Sequence, residues 1–253
     1  MSYPQPLAVV IMAAGKGTRM KDPTRAKVMF EINGHPLLHY VIELAGKLSA
    51  KRIIAIAGFQ KESVTAYLAA AHPTVEVAYQ LEQKGTGHAV MQTAEALRNF
   101  QGQVLVLSGD VPLLTVKTMQ AFVDHHFASG ASATILTADF DDPTGYGRII
   151  RNPDGTVKKI TEHKDATPEE LALQEINSGI YVFDRALLYD ALEHITPHNA
   201  QNEYYLTDVF EYFWRHGHPV QAVKGTQGEI HGINTVEQLE EARQILTKRA
   251  EVS

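Results

Sequence analysis

LAVVIMAAGKGTRMKDPTRAK, running from Leu7 to Lys27, is the stretch on which the reading of this chain turns. Leu7 to Met12 is apolar at consecutive positions, which marks a strand covered on both faces, as the strands of a parallel sheet are. Gly15 and Gly17 follow directly. Glycine at such a point lets φ turn positive and lets backbone N–H groups approach an anion without a Cβ in the way. Lys16, Arg19, Lys21, Arg25 and Lys27 then crowd together with Asp22 as the sole acid among them, on a chain whose net charge is -6. Strand, glycine loop and clustered cations in this order describe a strand end built to hold phosphate. The familiar phosphate motifs do not fit. A P-loop beginning at Gly15 and a dinucleotide fingerprint both require Gly at position 20, where Met20 stands. Neither an ATPase nor a Rossmann dehydrogenase is supported. On this stretch alone, a tight strand-to-helix turn with a solvated basic rim stays open as the alternative.

With 253 residues and 44% hydrophobic content the chain can bury a full core, and one large domain is the favoured reading. No apolar run approaches the roughly 20 residues of a membrane span, and the N-terminus lacks a signal-peptide pattern. A soluble, cytoplasmic protein with no membrane partner is expected. The absence of cysteine excludes disulfides, thiolate zinc sites and thiol nucleophiles. Mild acidity argues against a nucleic-acid partner, which would call for a broad basic face. Any anionic ligand is therefore met by local cations or by a bound metal.

Further apolar runs recur at Ile53 to Gly58, Val75 to Tyr79, Val104 to Leu107 and Ala133 to Ala138, with helical spacing between them. Leu37, Leu38, Val41, Ile42, Leu44, Ala45 and Leu48 form one helical stripe, and Ala89 to Leu97 carries another. This alternation predicts an α/β fold whose sheet has parallel strands. After Asp141 the pattern changes. Arg148 to Arg151 and Val157 to Ile160 flank Asn152-Pro-Asp-Gly155 as a hairpin, and Ile176 to Phe183 reads as another strand. A last helix begins at Thr235, with Gln238 completing a capping box, and carries Leu239, Ala242, Ile245 and Leu246 on its apolar face. Those side chains are expected to pack back onto the domain or against another subunit.

Ligands of open α/β sheets bind beyond the carboxyl ends of the strands. Besides the glycine loop, one other strand end stands out: Ser108-Gly109-Asp110, directly after Val104 to Leu107. An acid there, behind a glycine that permits close approach, suits Mg²⁺, which is held by one or two carboxylates together with substrate phosphates. A turn aspartate ahead of Pro112 is the plainer reading of this triplet taken alone. Other polar clusters are Gln80 with Gln83 to His88, Thr144 to Arg148, Glu162 to Lys164, Asn177 to Gly179, Glu203 to Asp208 and Gly232 to Asn234. Glu162 is notable because an unpaired carboxylate facing a pocket is costly. The 12 histidines show no HExxH or similar spacing and read as surface or satisfied groups.

Taken in order, AAGKGTRM, QLEQKGTGHA, GDVPL, DDPTGYGRI, EHKDAT, QEINSGI and NEYYLTD resemble the uridylyltransferase domain of bacterial N-acetylglucosamine-1-phosphate uridylyltransferases, over nearly the whole chain. The resemblance implies a glycosyltransferase-A-like α/β nucleotidyltransferase domain with a mostly parallel mixed central sheet over residues 1–228, with a metal-ligand loop and C-terminal helix, 229–253, packed on it. It implies that Ala14 and Gly15 contact the nucleotide and that Arg19 and Lys27 act catalytically on its phosphates. Gln80, Gln83, Gly85 and Thr86 would read the uracil and position the nucleoside. Asp110 and Asn234 would hold Mg²⁺, and Gly147, Glu162, Asn177, Tyr205 and Thr207 would line the sugar site. Two positions depart from the family pattern: Ser108 stands where an aromatic is frequent, and Ala26-Lys27 replaces Pro-Lys, with Arg25 a competitor for the role of Lys27.

The implied reaction joins UTP and N-acetylglucosamine 1-phosphate into UDP-N-acetylglucosamine with release of pyrophosphate. A related nucleotidyltransferase using glucose 1-phosphate or dTTP, and a non-catalytic sugar-nucleotide sensor, are the alternatives. The bifunctional enzymes of this family also carry a left-handed β-helix with acetyltransferase activity. No hexapeptide repeat of that kind occurs in this sequence. Acetyl transfer is therefore not expected, and a monomer or weak dimer is.

Overall fold

The computed structural model describes residues 3–252 apart from Lys21 and Pro23. Lys21, one of the loop cations noted above, thus lies outside the described residues. The expected first strand is β1, Leu7–Ala13. After it come a short pair, β2 (Glu31–Ile32) and β3 (His35–Pro36), then α1 (Leu37–Lys47), β4 (Arg52–Ala57), α2 (Lys61–Ala71) and β5 (Glu76–Tyr79). Next are α3 (Thr86–Met91), β6 (Gln103–Ser108), α4 (Val116–Ser129) and β7 (Ala133–Asp139). The hairpin is β8 (Gly147–Arg151) and β9 (Val157–Thr161), followed by α5 (Pro168–Leu171) and β10 (Glu175–Asp184). The chain closes with α6 (Arg185–Leu192), α7 (Asp208–Arg215), β11 (Val220–Lys224), α8 (Gln227–Ile230) and α9 (Val236–Val252).

The main sheet runs β11-β7-β10-β6-β1-β4-β5, with the β8/β9 hairpin attached to β10. β1 lies parallel to β4 and β6, and β4 to β5. β10 is inserted antiparallel between β6 and β7, which makes the sheet mixed. The consecutive apolar residues of β1 are explained by its two covered faces. Leu7, Val9, Ile11 and Ala13 pack with Leu38, Val41 and Ile42 of α1, Val64 and Leu68 of α2, and Met119, Phe122 and Val123 of α4. Ala8, Val10 and Ala14 pack with Val90 of α3, Leu188 and Ala191 of α6, and Val209, Phe210 and Phe213 of α7. The period-2 alternation of a strand thus feeds two helical layers.

The second helical stripe is shorter than Ala89 to Leu97 predicts, because α3 ends at Met91 and gives way to successive turns. Buried Thr93 accounts for this, since its hydroxyl bonds back to the Val90 carbonyl at 2.7 Å and also pairs with the Tyr189 hydroxyl at 2.6 Å. The predicted capping box of α9 is present. Thr235 N donates to Gln238 Oε1 at 3.1 Å, and Gln238 N donates to Thr235 Oγ1 at 3.3 Å. Leu239, Ala242 and Leu246 pack with Met20, Ile32, Leu37, Leu113 and Ile233, so α9 seals the flank of the glycine loop. Ile245 departs from the expected stripe and is 36% exposed. Among the described residues no helix is long and apolar enough to cross a membrane.

Candidate functional site

The chain between β1 and α1 opens into a cleft of about 530 Å³ beyond the carboxyl ends of β1, β5 and β6. Ala14, Gly15, Arg19, Lys27, Gln80, Gln83, Gly85, Thr86, Asp110 and Asn234 all line it. Gly17 is the loop glycine that takes a positive φ, +61°. Gly15 does not, but a Cβ there would meet nothing within 4 Å, leaving its backbone open to a ligand. Arg25 is turned away from the cleft, its guanidinium over the Phe30 ring at 5.5 Å, while Lys27 points in. Of these two cations only Lys27 lines the cleft.

At one end of the cleft four side chains converge. Lys27 Nζ donates to Asp110 Oδ2 in a short ion pair and to Asn234 Oδ1 at 2.6 Å, and Arg19 Nη2 donates to the same Asn234 oxygen at 2.6 Å. Asn234 is held from behind: its Nδ2 donates to Gly232 O at 2.8 Å, and its backbone N donates to Gln238 Oε1 at 2.7 Å. The capping glutamine of α9 therefore also fixes this residue. The Ile233 N–H donates to Asp110 O at 2.9 Å, tying the 232–234 loop to the end of β6. Gly109 lets that strand end come close, since a Cβ there would lie 3.0 Å from Val28 Cγ1 and 3.1 Å from Met12 O. Two hard oxygens, one from a carboxylate and one from an amide, converge on the Lys27 ammonium, and the amide oxygen also accepts from Arg19. This donor set fits Mg²⁺ completed by phosphate and water oxygens.

Gln80, buried at 3% exposure, donates from Nε2 to Gly85 O at 2.9 Å, and Gln83 Nε2 donates to Gln80 O at 3.2 Å. Gly85 sits at φ +103° against Tyr204, whose carbonyl oxygen would be 2.5 Å from an added Cβ. Thr86 Oγ1 accepts from Leu206 N at 3.0 Å, so the QLEQKGTGHA and NEYYLTD segments form one wall.

A smaller cavity of about 170 Å³ adjoins this cleft and shares Met12, Thr86 and Ser108 with it. Gly147, Glu162, Asn177 and Thr207 line it. Glu162 Oε1 accepts from Thr207 Oγ1 at 3.0 Å. The Glu162 residue is half-buried, but its carboxyl is withdrawn from water, and that burial raises its pKa above the ordinary range, with Asp165 and Glu203 adding to the rise. Asn177 Nδ2 donates to Tyr181 Oη at 2.7 Å, while its Oδ1 is buried with no partner in the protein. A buried acceptor without a donor costs free energy unless a ligand supplies one. Gly147 stands over both, with a Cβ position 3.5 Å from Asn177 Cβ and 3.5 Å from Glu162 Oε2.

Tyr205 does not line this cavity. It faces an adjoining cavity of about 590 Å³, with Glu162 and Thr207 forming the wall between the two. Its hydroxyl donates to Asp165 Oδ2 at 3.1 Å, and burial, aided by Asp165 and Glu162, pushes its pKa up to about 12. Sequence reading leaves Tyr146 and Glu203 without a role. Tyr146 lines the smaller cavity and accepts from Gly232 N at 3.2 Å, bracing the Asn234 loop, and Glu203 adds an acid to the larger cleft. Both lie inside polar motifs the sequence singles out, but their partners are distant in the chain.

The nucleotidyl transferase family model matches residues 8–246, and the chain belongs to that family. The Bifunctional protein GlmU of Geobacillus thermodenitrificans (strain NG80-2) is 47% identical over 241 residues, which are 95% of this chain and 52% of that protein. The protein of the same name from Streptomyces coelicolor (strain ATCC BAA-471 / A3(2) / M145) is 47% identical over 252 residues, 98% of this chain and 52% of its own length. The chain thus spans about half the length of the curated relatives it matches. A solved UDP-glucose pyrophosphorylase complexed with UDP-glucose has a TM-score of 0.77 at 18% identity, covering 96% of this chain and 99% of that one. That likeness is one of fold, and it agrees with the glycosyltransferase-A-like α/β architecture expected from the sequence.

Proposed function

We propose that this chain is a cytoplasmic uridylyltransferase that joins UTP and N-acetylglucosamine 1-phosphate, releasing pyrophosphate. The observation that carries this reading is the junction of the two cavities. A cationic cleft and a smaller polar cavity share Met12, Thr86 and Ser108, and Arg19, Lys27, Asp110 and Asn234 cluster in the cleft. The relatives named above, matched over about half of their length, support the same activity.

In this reading Gln80 and Gln83 hold the uracil edge in a rigid frame set by Gly85. Ala14 and Gly15 offer backbone to the nucleotide, and Arg19 and Lys27 face its phosphates. Gly147, Glu162, Asn177 and Thr207 hold the sugar, with Tyr205 supporting Glu162 and Thr207 from the adjoining cavity. Asn177 Oδ1 is suited to accept from the acetamido N–H. A phosphate oxygen of the sugar phosphate attacks the α-phosphorus of UTP in line, and the bond from that phosphorus to the pyrophosphate oxygen breaks. No general base is required, because the attacking oxygen is already ionised. The work of the protein is to align the two anions and offset their charge. The 231–235 loop and α9 set Asn234 opposite Asp110, and when bound there Mg²⁺ would supply further charge neutralisation at the phosphates.

Release of pyrophosphate, followed across a panel of nucleoside triphosphates and sugar 1-phosphates in the presence of Mg²⁺, tests the proposal. Turnover is expected with UTP and N-acetylglucosamine 1-phosphate. No turnover with any pair would leave a sugar-nucleotide sensor, and a preference for glucose 1-phosphate or dTTP would move the chain to the related nucleotidyltransferases.

A further inference from the structure

A cluster well apart in role from the cleft lies where α1 meets the end of α2. His39 and Glu43 are one turn apart on α1 and share a face. His72 caps the C-terminus of α2, with its N–H on Leu68 O at 2.8 Å. One ligand atom from each of these side chains lies within 4.8 Å of the others. None of the three lines the cleft or the cavity that adjoins it.

We propose that His39, Glu43 and His72 form a second metal site, for a divalent transition-metal ion of the zinc class. His39 Nδ1 and His72 Nε2 are 3.2 Å apart. Two ligand atoms on a tetrahedral zinc with bonds of roughly 2.0–2.1 Å are separated by about 3.3 Å, so the imidazoles already stand at the spacing the ion needs. A Glu43 carboxylate oxygen lies within 4.8 Å of a ring nitrogen of each imidazole, and its side chain is 51% exposed, free to close on an ion without unpacking the core. The Tyr67 hydroxyl is 3.1 Å from His39 Nδ1 and 3.2 Å from His72 Nε2, so it turns these two nitrogens towards one point, and an arriving ion takes over those hydrogen bonds. His35 stacks on His39 with ring centroids 4.2 Å apart, which restricts that ring further. Two imidazoles and a carboxylate suit zinc, cobalt and nickel. Mg²⁺ prefers an all-oxygen shell and belongs with Asp110 and Asn234 instead. No linear metal motif announces the site, because His72 arrives from a different helix.

Zinc titration by isothermal calorimetry in Mg²⁺-free buffer, with cobalt(II) absorption as a report of ligand geometry, tests this directly. One equivalent of zinc is expected to bind, with tetrahedral cobalt bands. Affinity should fall at least about tenfold in E43Q and H72N. It should be unchanged in D110N, which weakens the other cation site. At a hundredfold excess over Kd, zinc should raise the Tm by about 5 °C or more. E43Q alters an exposed side chain, so it reads the site even if H72N does not fold. The proposal is overturned if zinc does not bind stoichiometrically, if E43Q binds as tightly as the parent, or if D110N abolishes binding.

Discussion

Gly17 and Lys27 touch because Gly17 has no side chain: a Cβ at Gly17 would sit 2.5 Å from Lys27 Cβ and 3.0 Å from its Cγ. The loop glycine thereby lays the lysine along the floor of the cleft, where its ammonium reaches Asp110 and Asn234. Gly17→Ala should therefore act as a lesion of Lys27. The left-handed φ of +61° adds strain of about 1–2 kcal/mol for a residue with a Cβ. We expect turnover in Gly17→Ala to approach that of Lys27→Ala, while Arg25→Ala stays near the parent. Steady-state kinetics on the three variants checks this, and a damaging Arg25→Ala beside a silent Lys27→Ala would reverse the assignment.

Asp110→Asn removes the carboxylate charge, and Asn234→Ala the amide oxygen, that converge on the Lys27 ammonium. Loss of a main electrostatic stabiliser costs about 10²- to 10³-fold in rate. Both variants should lose activity on that scale at limiting Mg²⁺ and recover part of it when Mg²⁺ is raised. Rates within threefold of the parent for both would contradict the proposal that these residues hold Mg²⁺.

Glu162→Gln should separate stability from activity. Burial raises the Glu162 pKa, so the folded state binds the extra proton more tightly than the unfolded chain. The stability contributed is thus lost as pH rises through the window between the unfolded and folded values, and at pH 7 the carboxylate is a burden. Glutamine keeps an acceptor for the Thr207 hydroxyl without that burden. We expect an equal or higher Tm at pH 7 together with a raised KM for the sugar phosphate. A lower Tm with unaltered KM would make Glu162 a structural group.

His126 gives a pH dependence far from the cleft. It is 2% exposed, pairs with Thr134 Oγ1 at 2.8 Å and Gln103 Oε1 at 2.9 Å, and burial pushes its pKa down to about 4. The unfolded chain takes up this proton near pH 6.5 and the folded chain only near 4, so stability falls as pH drops across that interval. The full loss is about 3 kcal/mol. Asp208, pushed up to about 6, titrates with the opposite sign in the same range, so the parent alone shows a muted slope. Subtracting the profile of His126→Gln from that of the parent should expose the histidine component in denaturant melts between pH 4 and 7. Parallel profiles would contradict it.

Much of this was legible in the sequence where local chemistry and global placement coincide. The run in β1 is unbroken because α1, α2 and α4 cover one face and α3, α6 and α7 the other. The capping pair Thr235 and Gln238 marks the start of α9 and also sets Asn234. What could not be read depends on partners remote in the chain. The antiparallel insertion of β10 leaves no trace, because a strand buried on both faces is apolar whichever way it runs. Tyr146 meets Gly232 across 86 positions, and the turn of Tyr205 towards Asp165 follows from how the 199–205 loop is folded. Thr93 ends α3 early through a hydroxyl bond that helical periodicity does not encode.

The most direct test of the central claim is the ratio of kcat/KM for N-acetylglucosamine 1-phosphate and glucose 1-phosphate with UTP and Mg²⁺. Asn177 Oδ1 is buried without a donor in the protein, and an acetamido N–H would supply one where a hydroxyl sits differently. A polar group left unpaired costs about 1–3 kcal/mol, so the account predicts at least about a fivefold preference for the acetamido sugar. Equal values for the two sugars, or a preference for glucose 1-phosphate, would contradict it.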